Sequence, residues 1–456
     1  MNPSRAAAPP GGGHAAAPAG VPCWAPPGAA PRHQPVSGRL TADVAVVGAG
    51  LAGLATAFRL VRERPGLDVV VVDARQPAAG ASGRGTGLLG PRVGPPLDRA
   101  VRRFGPQTAR RMYRASENAV QQVLDLCEDL GLRCTLSRGE QLLAARSSAG
   151  LSMLLRQAAA FRALDLGEVR LLGATALRDH IDAPYTAALR FPTAATLDPA
   201  ALTSALARAC ADKGVRFYGD SPLRDLPGTG AGRAVELAFP EGSVRCDRAV
   251  LALGAEAAAL GLPVGTVLPL EVYAVATARL PPPAHQALGG PLGSSVVDAV
   301  PLAPYFRLSP DGRVIAGGGT AVLPDGLSPR RLAAARARSW QRLERWLRLL
   351  HPDLAAVPLT HRWSGRIGVT GDGLPVVGEI HGHPGVWYVG GCGGHGLAMS
   401  VDHGGYVAEA LLGGMPSRGP LPWHRPRAPR FPVRGPARPL IRAHVGALGA
   451  AARRTR

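Results

Sequence analysis

The chain has 456 residues, 46% of them hydrophobic, which is enough for two or three domains with a buried core. Its 52 basic and 32 acidic residues give a formal net charge of +20. Almost every basic residue is an arginine, Lys213 being the one lysine, and outside the C-terminal tail the arginines are scattered along the chain. This scatter argues against a nucleic-acid-binding surface, so we expect no nucleic-acid partner.

Targeting and metal-binding patterns are missing from the sequence. No stretch approaches the roughly eighteen apolar residues of a membrane span, and the first residues lack the apolar run of a signal peptide. The six cysteines form no CxxC pair and no cluster with zinc spacing. We therefore expect a cytoplasmic protein with no membrane span and no metal site. Nothing in the sequence indicates the oligomeric state.

The elements begin after an Ala-, Pro- and Gly-rich arm. Residues 1–40 have the composition of a disordered segment. Residues 43–47 are an apolar run typical of a strand buried on both faces, and residues 48–53 are a glycine-rich turn. Residues 54–64 have helical composition, and residues 69–72 predict a second buried strand. Together these segments predict one βαβ unit.

Helices and strands alternate along the rest of the chain. Further helices are predicted at 107–130, 198–213, 328–350 and 397–412. Further strands are predicted at 215–218, 235–239, 243–246, 249–253, 267–280, 304–317 and 386–389. Residues 413–456 form a basic, Pro- and Arg-rich tail for which we expect disorder.

The first glycine turn indicates a dinucleotide site. Gly48 permits a tight turn, Gly50 lets the backbone approach a pyrophosphate, and Gly53 allows the helix to pack closely on the strand. The helix N-terminus then offers free N–H groups to the phosphates, and Asp73 accepts hydrogen bonds from ribose hydroxyls. A glycine-rich turn that binds nothing is the alternative.

A second glycine cluster, Gly393-Gly-His-Gly396, directly precedes the last predicted helix. A helix N-terminus at this place favours the negative charge that a reduced flavin carries near N1 and O2. An NAD dehydrogenase has no need of a second such turn. The cluster therefore favours FAD over NAD(P), with an ordinary glycine-rich cap as the alternative.

Several segments taken together resemble the D-amino-acid oxidase-like (glycine/sarcosine oxidase) family of FAD-dependent oxidoreductases. The resemblance covers about residues 22–412 and is nearest to the gamma-glutamylputrescine oxidase-like branch. Trp24 stands where amine-oxidising members of the family often carry a Trp ahead of the first strand. The matching segments are 43–53, 80–84, 197–199, 249–254, 363–365, 372–375 and 394–396.

The resemblance implies an α/β fold in which a Rossmann-type FAD-binding domain is interleaved with an α+β substrate domain built on a mixed antiparallel sheet. Residues 41–90, 191–262 and 356–412 would form the FAD-binding domain, and residues 91–190 and 263–355 the substrate domain. The implied cofactor contacts are Gly48, Ala49, Gly50, Leu51, Ala52, Gly53, Asp73, Ala74, Arg75, Gly80, Ala81, Ser82, Gly83, Arg84, Gly254, Gly393, Gly394, His395, Gly396 and Leu397.

The implied reaction is oxidation of an amine or amino acid by hydride transfer to flavin N5, followed by imine hydrolysis and flavin reoxidation by O2 or another acceptor. Sarcosine oxidases attach the flavin through a cysteine near the position of Gly365, and no cysteine stands there, so we expect non-covalent FAD. The alternatives are an FAD-dependent dehydrogenase of a hydroxy acid or glycerol-phosphate-type substrate, and a flavin-free binding scaffold of the same fold.

The sequence departs from the family at the substrate side. Gly85 and Thr86 replace the usual Asn-Gly of the flavin loop. Amino-acid oxidases of the family carry an arginine that binds the substrate carboxylate after the Trp-x-Gly-x step, where this chain has Ile367, and Arg366 is one position early and so on the other strand face.

Three residues are candidates for catalytic or substrate-binding roles. Arg307 is an alternative carboxylate-binding residue, or an outward-facing solvated arginine. Tyr305 lies on the same strand face and either lines the pocket or packs in the core. His395 either tunes the flavin and shuttles a proton, or fixes the loop through backbone hydrogen bonds.

Overall fold

The computed structural model describes residues 19–24, 32–132, 135–225, 234–258, 267–282, 293–414 and 419–429, together with residues 260, 285, 288 and 443. The strands are β1 (37–47), β2 (69–72), β3 (88–89), β4 (136–145), β5 (170–173), β6 (187–197), β7 (216–218), β8 (235–238), β9 (241–251), β10 (267–277), β11 (295–298), β12 (305–308), β13 (314–322), β14 (359–370), β15 (376–379) and β16 (386–390). The helices are α1 (51–63), α2 (81–84), α3 (97–104), α4 (106–129), α5 (148–163), α6 (174–177), α7 (199–212), α8 (329–348) and α9 (396–411), and short 3-10 turns cover 254–258 and 352–355.

The first sheet has the order β15-β16-β9-β1-β2-β7, with β8 paired to β9. The central pairs β16–β9, β9–β1, β1–β2 and β2–β7 are parallel, as expected when a helix such as α1 makes the crossover. Val44–Val47 and all of β2 are buried, because helices cover one face and β8 with its neighbouring loops packs on the other. This is a Rossmann-type arrangement.

The second sheet has the order β14-β10-β13-β12-β11-β4-β6-β3, with β5 paired to β6. All its pairs are antiparallel except β11–β4, so the sheet is mixed. Helix α8 packs against it through Leu343, Trp346 and Leu347, which are buried. The α/β class, with a Rossmann-type sheet interleaved with a mixed sheet, is therefore confirmed.

Some element bounds differ from the sequence-based expectation. The segments 243–246 and 249–253, expected as separate strands, lie in one continuous β9, because β9 pairs with β1 from Ser37 to Val47. Strand β14 falls inside 356–412, which was assigned to the FAD-binding domain, but it pairs with β10 of the second sheet. The expected boundary at 262–263 lies outside the described residues.

The expectation of a disordered arm is wrong for its described residues. The backbone N–H of Ala19 donates to Ser364 Oγ (2.8 Å), and Trp24 packs in a small cluster with buried Trp363. Residues 37–40 already belong to β1. The hydrogen-bond partners of Ala19 and Trp24 lie between 61 and 345 residues away along the chain, so the composition of the segment could not indicate them. Residues 1–18 and 25–31 lie outside the described part.

The expectation of a disordered tail is wrong for residues 419–429. This segment runs beside the edge strand β15, where Val377 N–H donates to the Trp423 carbonyl (2.9 Å) and Arg425 N–H donates to the Val377 carbonyl (2.8 Å). The Trp423 side chain is fully buried, and the Arg425 guanidinium binds the Asp372 carboxylate at 2.6 and 2.9 Å. The segment thus covers an otherwise open sheet edge. Residues 430–442 and 444–456 lie outside the described residues.

Two features are absent from the described residues. None of the helices formed by them is long and apolar enough to cross a membrane. Within the same part of the chain, no group of three or more His, Cys, Asp or Glu side chains is placed to bind a metal ion.

Replacing Trp423 with alanine should lower the free energy of unfolding by about 3–5 kcal/mol, the usual effect of removing a buried Trp side chain. The measurement is the denaturant midpoint, with Leu349→Ala as control, since Leu349 at the C-terminal cap of α8 is 66% exposed. An unchanged midpoint for Trp423→Ala would mean that the 419–429 segment does not pack on the domain.

Candidate active site

One cavity of about 790 Å³ is lined by residues of both sheets. Gly50 and Ser82 line one part of it, Gly393 and His395 another, and Tyr305 of β12 lies in its wall. Of the expected cofactor contacts, those that line it are Gly50, Leu51, Ala52, Ala81, Ser82, Arg84, Gly254, Gly393, Gly394, His395, Gly396 and Leu397. The others, Gly48, Ala49, Gly53, Asp73, Ala74, Arg75, Gly80 and Gly83, lie outside its lining.

The first turn requires its glycines for steric reasons. Gly48 has φ +114°, and a Cβ there would lie 2.4 Å from the Ala252 carbonyl oxygen. A Cβ on Gly53 would lie 2.0 Å from the Gly48 carbonyl oxygen. Helix α1 starts at the cavity with Gly50 as its N-cap and no capping side chain. This arrangement fits a phosphate group at the helix N-terminus.

Asp73 follows β2 and closes the turn. Its carboxylate accepts from the backbone N–H of Ala49 (2.7 Å) and of Arg75 (2.8 Å). A carboxylate has about four lone-pair sites, so these bonds leave capacity for further donors. Hydrogen bonding of Asp73 to a ribose remains a prediction.

The segment expected as a glycine-rich loop contains one helical turn, α2. A Cβ on Gly83 would lie 2.1 Å from the Ala78 carbonyl oxygen, so only glycine fits this turn. Ser82 Oγ accepts from the Leu51 N–H (2.9 Å), which ties α2 to the start of α1.

Residues 84–87, here called the flavin loop, are held in place by hydrogen bonds to three consecutive backbone carbonyl groups. The indole N–H of Trp363 donates to the Arg84 carbonyl (2.9 Å), and that of Trp24 donates to the Gly85 carbonyl (3.2 Å). Arg307 Nε donates to the Thr86 carbonyl (2.7 Å). The donors come from β14, the N-terminal segment and β12, so the loop is fixed to three separate parts of the chain.

The geometry contradicts the hypothesis that Arg307 binds a substrate carboxylate. Its guanidinium donates to the Thr86 carbonyl and to the Leu197 carbonyl (3.1 Å), and it stacks 5.1 Å from the centre of the Trp24 ring. The residue is 2% exposed and does not line the cavity. Burial lowers the pKa of Arg307 to about 10. The alternation of residues along a strand indicated on which face Arg307 lies, but not how deeply its side chain is buried.

Tyr305 lines the cavity, as one of the two sequence-based alternatives expected. A Cβ on Gly317 would lie 2.6 Å from the Tyr305 hydroxyl, so the ring occupies the space that this glycine leaves. Burial raises the pKa of Tyr305, and the nearby Thr86 side chain opposes part of this shift. The altered Gly85-Thr86 step thus places a polar side chain near Tyr305.

Strand β14 supplies no free arginine to the cavity. Arg366 Nη1 lies 3.6 Å from Glu256 Oε1, in an ion pair whose arginine is buried and whose carboxylate is partly exposed. Ile367 faces the second glycine turn. A Cβ on Gly394 would lie 3.5 Å from Ile367 Cδ1. A carboxylate-binding arginine at the usual family position is therefore absent from this strand, all of whose residues are described.

The second glycine turn ends at the N-terminus of α9. Gly393 and Gly394 have φ +60° and +94°, and α9 starts without a side-chain cap. His395 donates its backbone N–H to the Cys392 carbonyl (3.1 Å). Burial, together with the charge of Arg92, lowers the pKa of His395 to about 3. The imidazole is therefore neutral near pH 7, which favours the structural role over proton shuttling.

Sequence reasoning missed Arg92 as a cavity residue. It follows β3 in a Gly-Pro-Arg step, with no motif around it. It also missed the hydrogen-bonding roles of Trp24 and Trp363, because these residues lie 61 and 279 positions from the carbonyl groups that they bind and no local pattern indicates such distant partners.

A buried parallel sheet, two glycine turns at the starts of helices and a cavity lined by residues of both sheets are the features of a dinucleotide-binding protein. The family model for FAD dependent oxidoreductases matches residues 43–410, and the chain belongs to this family. Its relatives include a probable oxidoreductase OrdL of Rhizobium meliloti, 29% identical over 82% of this chain and 84% of the relative. A gamma-glutamylputrescine oxidoreductase of Escherichia coli is 27% identical, over 82% of this chain and 84% of the relative.

Solved structures share the fold. A glycine oxidase from Geobacillus kaustophilus superposes with a TM-score of 0.68 at 23% identity, over 83% of this chain and 96% of the other. The predicted resemblance to this group of FAD-dependent enzymes is confirmed.

Replacing Arg307 with methionine should raise the Kd for FAD about ten- to a hundredfold, because the Thr86 and Leu197 carbonyls lose charged donors. The measurement is titration of the apoprotein with FAD, followed by flavin fluorescence. Arg313→Met on the same sheet is the control, since Arg313 binds Asp311 and not the flavin loop. An unchanged Kd in Arg307→Met would show that the flavin loop keeps its conformation without this donor.

Proposed function

We propose that this protein is an amine or amino-acid oxidoreductase that binds FAD non-covalently and acts on a CH–NH or CH–NH2 donor. The observation that carries the proposal is a single cavity with a helix N-terminus at each of two glycine turns and a side wall of apolar residues. The relatives of this chain include amine and amino-acid oxidoreductases and dehydrogenases, which supports the same substrate class.

The bound flavin would supply the redox chemistry: it takes two electrons and a proton as hydride from the carbon next to nitrogen, and water then hydrolyses the imine to a carbonyl compound and ammonia or an amine. The chain's own residues bind and orient. The α1 N-terminus at Gly50 suits the pyrophosphate, and the α9 N-terminus at Gly396 suits the polar edge of the ring.

The proposed reaction does not require a pair of cavity residues that transfers protons. Neutral His395 cannot act as an acid at pH 7, and the Asp298 carboxylate accepts from Tyr185 Oη (2.5 Å) and Trp346 Nε1 (3.1 Å). The role left to the site is to exclude water and to place the substrate carbon against the ring. An amine substrate has to arrive neutral or lose its proton to solvent.

Non-covalent binding of FAD is supported by the protonation state of the Cys392 thiol. Cys392 lines the cavity, but burial raises its pKa to about 11, so little thiolate exists at neutral pH. Gly365, where sarcosine oxidases carry their attaching cysteine, offers no nucleophile.

Mixing the purified enzyme without oxygen with a panel of amines and amino acids should bleach the flavin absorbance for at least one member and release ammonia or an amine. Admitting air then distinguishes the electron acceptors, since rapid recolouring indicates reoxidation by O2 and slow recolouring indicates another acceptor. Bleaching by hydroxy acids alone, with no nitrogen product, would contradict the proposal.

A further inference from the structure

The charges that line the cavity are mostly positive. Among the described lining residues, Arg84, Arg92, Arg99 and Arg366 carry guanidinium groups, and Asp298 is the one carboxylate. Low-dielectric walls focus the field of such charges. The cavity therefore favours an anionic group over a second cation.

Three of these charges already have partners. Arg84 donates to three backbone carbonyls, and Arg366 pairs with Glu256. Asp298 accepts from Tyr185 and from a tryptophan. Two guanidinium groups are left, those of Arg92 and Arg99, and within the described part of the chain neither side chain has a hydrogen bond or an ion pair.

Arg92 lines the cavity. Its side chain is exposed to the space of the cavity, and desolvation by the surrounding protein lowers its pKa. Its charge reaches His395 at the second glycine turn. An unpaired guanidinium in such surroundings costs free energy that a bound anion offsets.

The backbone that carries Arg92 is constrained. Pro91, Pro95 and Pro96 fix φ on both sides of it. Gly94 has φ +69°, and a Cβ there would lie 2.6 Å from Leu374 Cδ2, so the chain passes tightly over that side chain. A rigid segment loses little freedom when its guanidinium binds a carboxylate with two parallel hydrogen bonds.

Arg99 and an apolar wall lie beside this segment. Arg99 is exposed on α3, a surface helix whose Arg102 is also exposed, which places Arg99 towards the outside of the cavity. The wall beyond it contains Met112, Tyr113, Met153, Phe161 and Phe191. These side chains provide contacts for an apolar group of a substrate.

We propose that Arg92 binds the carboxylate of an amino-acid substrate, in place of an arginine on β14, and that Arg99 attracts this carboxylate from the outer part of the cavity. The inference rests on the proposed function and narrows its substrate from amines in general to amines that carry a carboxylate. The substrate's apolar body lies against Met112 and Phe161.

The test compares two ligands of equal shape, 3-phenylpropanoate and 3-phenylpropanamide, by the change each makes in the absorbance of the oxidised holoenzyme. We expect the acid to bind about ten- to a hundredfold more tightly than the amide. Arg92→Met should abolish this preference. Arg92→Lys should keep part of it, since lysine retains the charge but not the planar fork.

Arg39→Met is the matched control, because Arg39 is exposed on β1 and does not line the cavity. It should keep the full preference and FAD content. Equal binding of acid and amide by the parent enzyme would overturn the proposal. Release of FAD by Arg92→Met would also overturn it, since Arg92 would then bind the cofactor. If the methionine variant does not fold, full acid preference in Arg92→Lys contradicts the bidentate contact.

A separate measurement tests the role of Arg99. Arg99→Met should slow association of the acid and weaken the salt dependence of that rate, leaving the amide unaffected. An unchanged association rate would remove Arg99 from the proposal. Because these measurements need no turnover, an enzyme that prefers the acid but oxidises no amine would contradict the proposed function and leave the Arg92 assignment standing.

Discussion

Three consecutive carbonyl oxygens, those of Arg84, Gly85 and Thr86, accept hydrogen bonds from Trp363, Trp24 and Arg307. A buried carbonyl without a donor is costly, so these bonds decide where the flavin loop can run. The loop leads from the parallel sheet into β3 of the mixed sheet. The position of the cavity between the two sheets therefore depends on this short run of backbone, and the arginine expected at the substrate is used to fix it.

The parts of the fold that the sequence predicted are those set by local physics. The βαβ unit could be predicted because the burial pattern, the glycine turn and the end of the helix lie within one short stretch. The ordered parts of the arm and tail could not be, because Ala19 bonds to Ser364 and Arg425 to Asp372. Composition describes a segment alone and gives no information on distant partners.

The same distinction between local and distant determinants applies to the candidate active site. The glycines were predictable because a Cβ at Gly48 or Gly53 collides with nearby backbone. Arg307 was misassigned because alternation in a strand gives a side chain's face but not what lies behind that face. Arg92 was missed because its importance comes from having no partner inside a cavity, a property of the folded chain that no spacing of residues reports.

We propose that one extended FAD, held without a covalent bond, fills the space between the two glycine turns. The most direct test of this proposal is to denature the purified enzyme, separate protein from supernatant and identify the flavin in each. We expect about one FAD per chain in the supernatant, since the α1 turn binds the pyrophosphate of a dinucleotide. FMN in place of FAD, flavin retained by the precipitated protein, or no flavin at all would contradict the account.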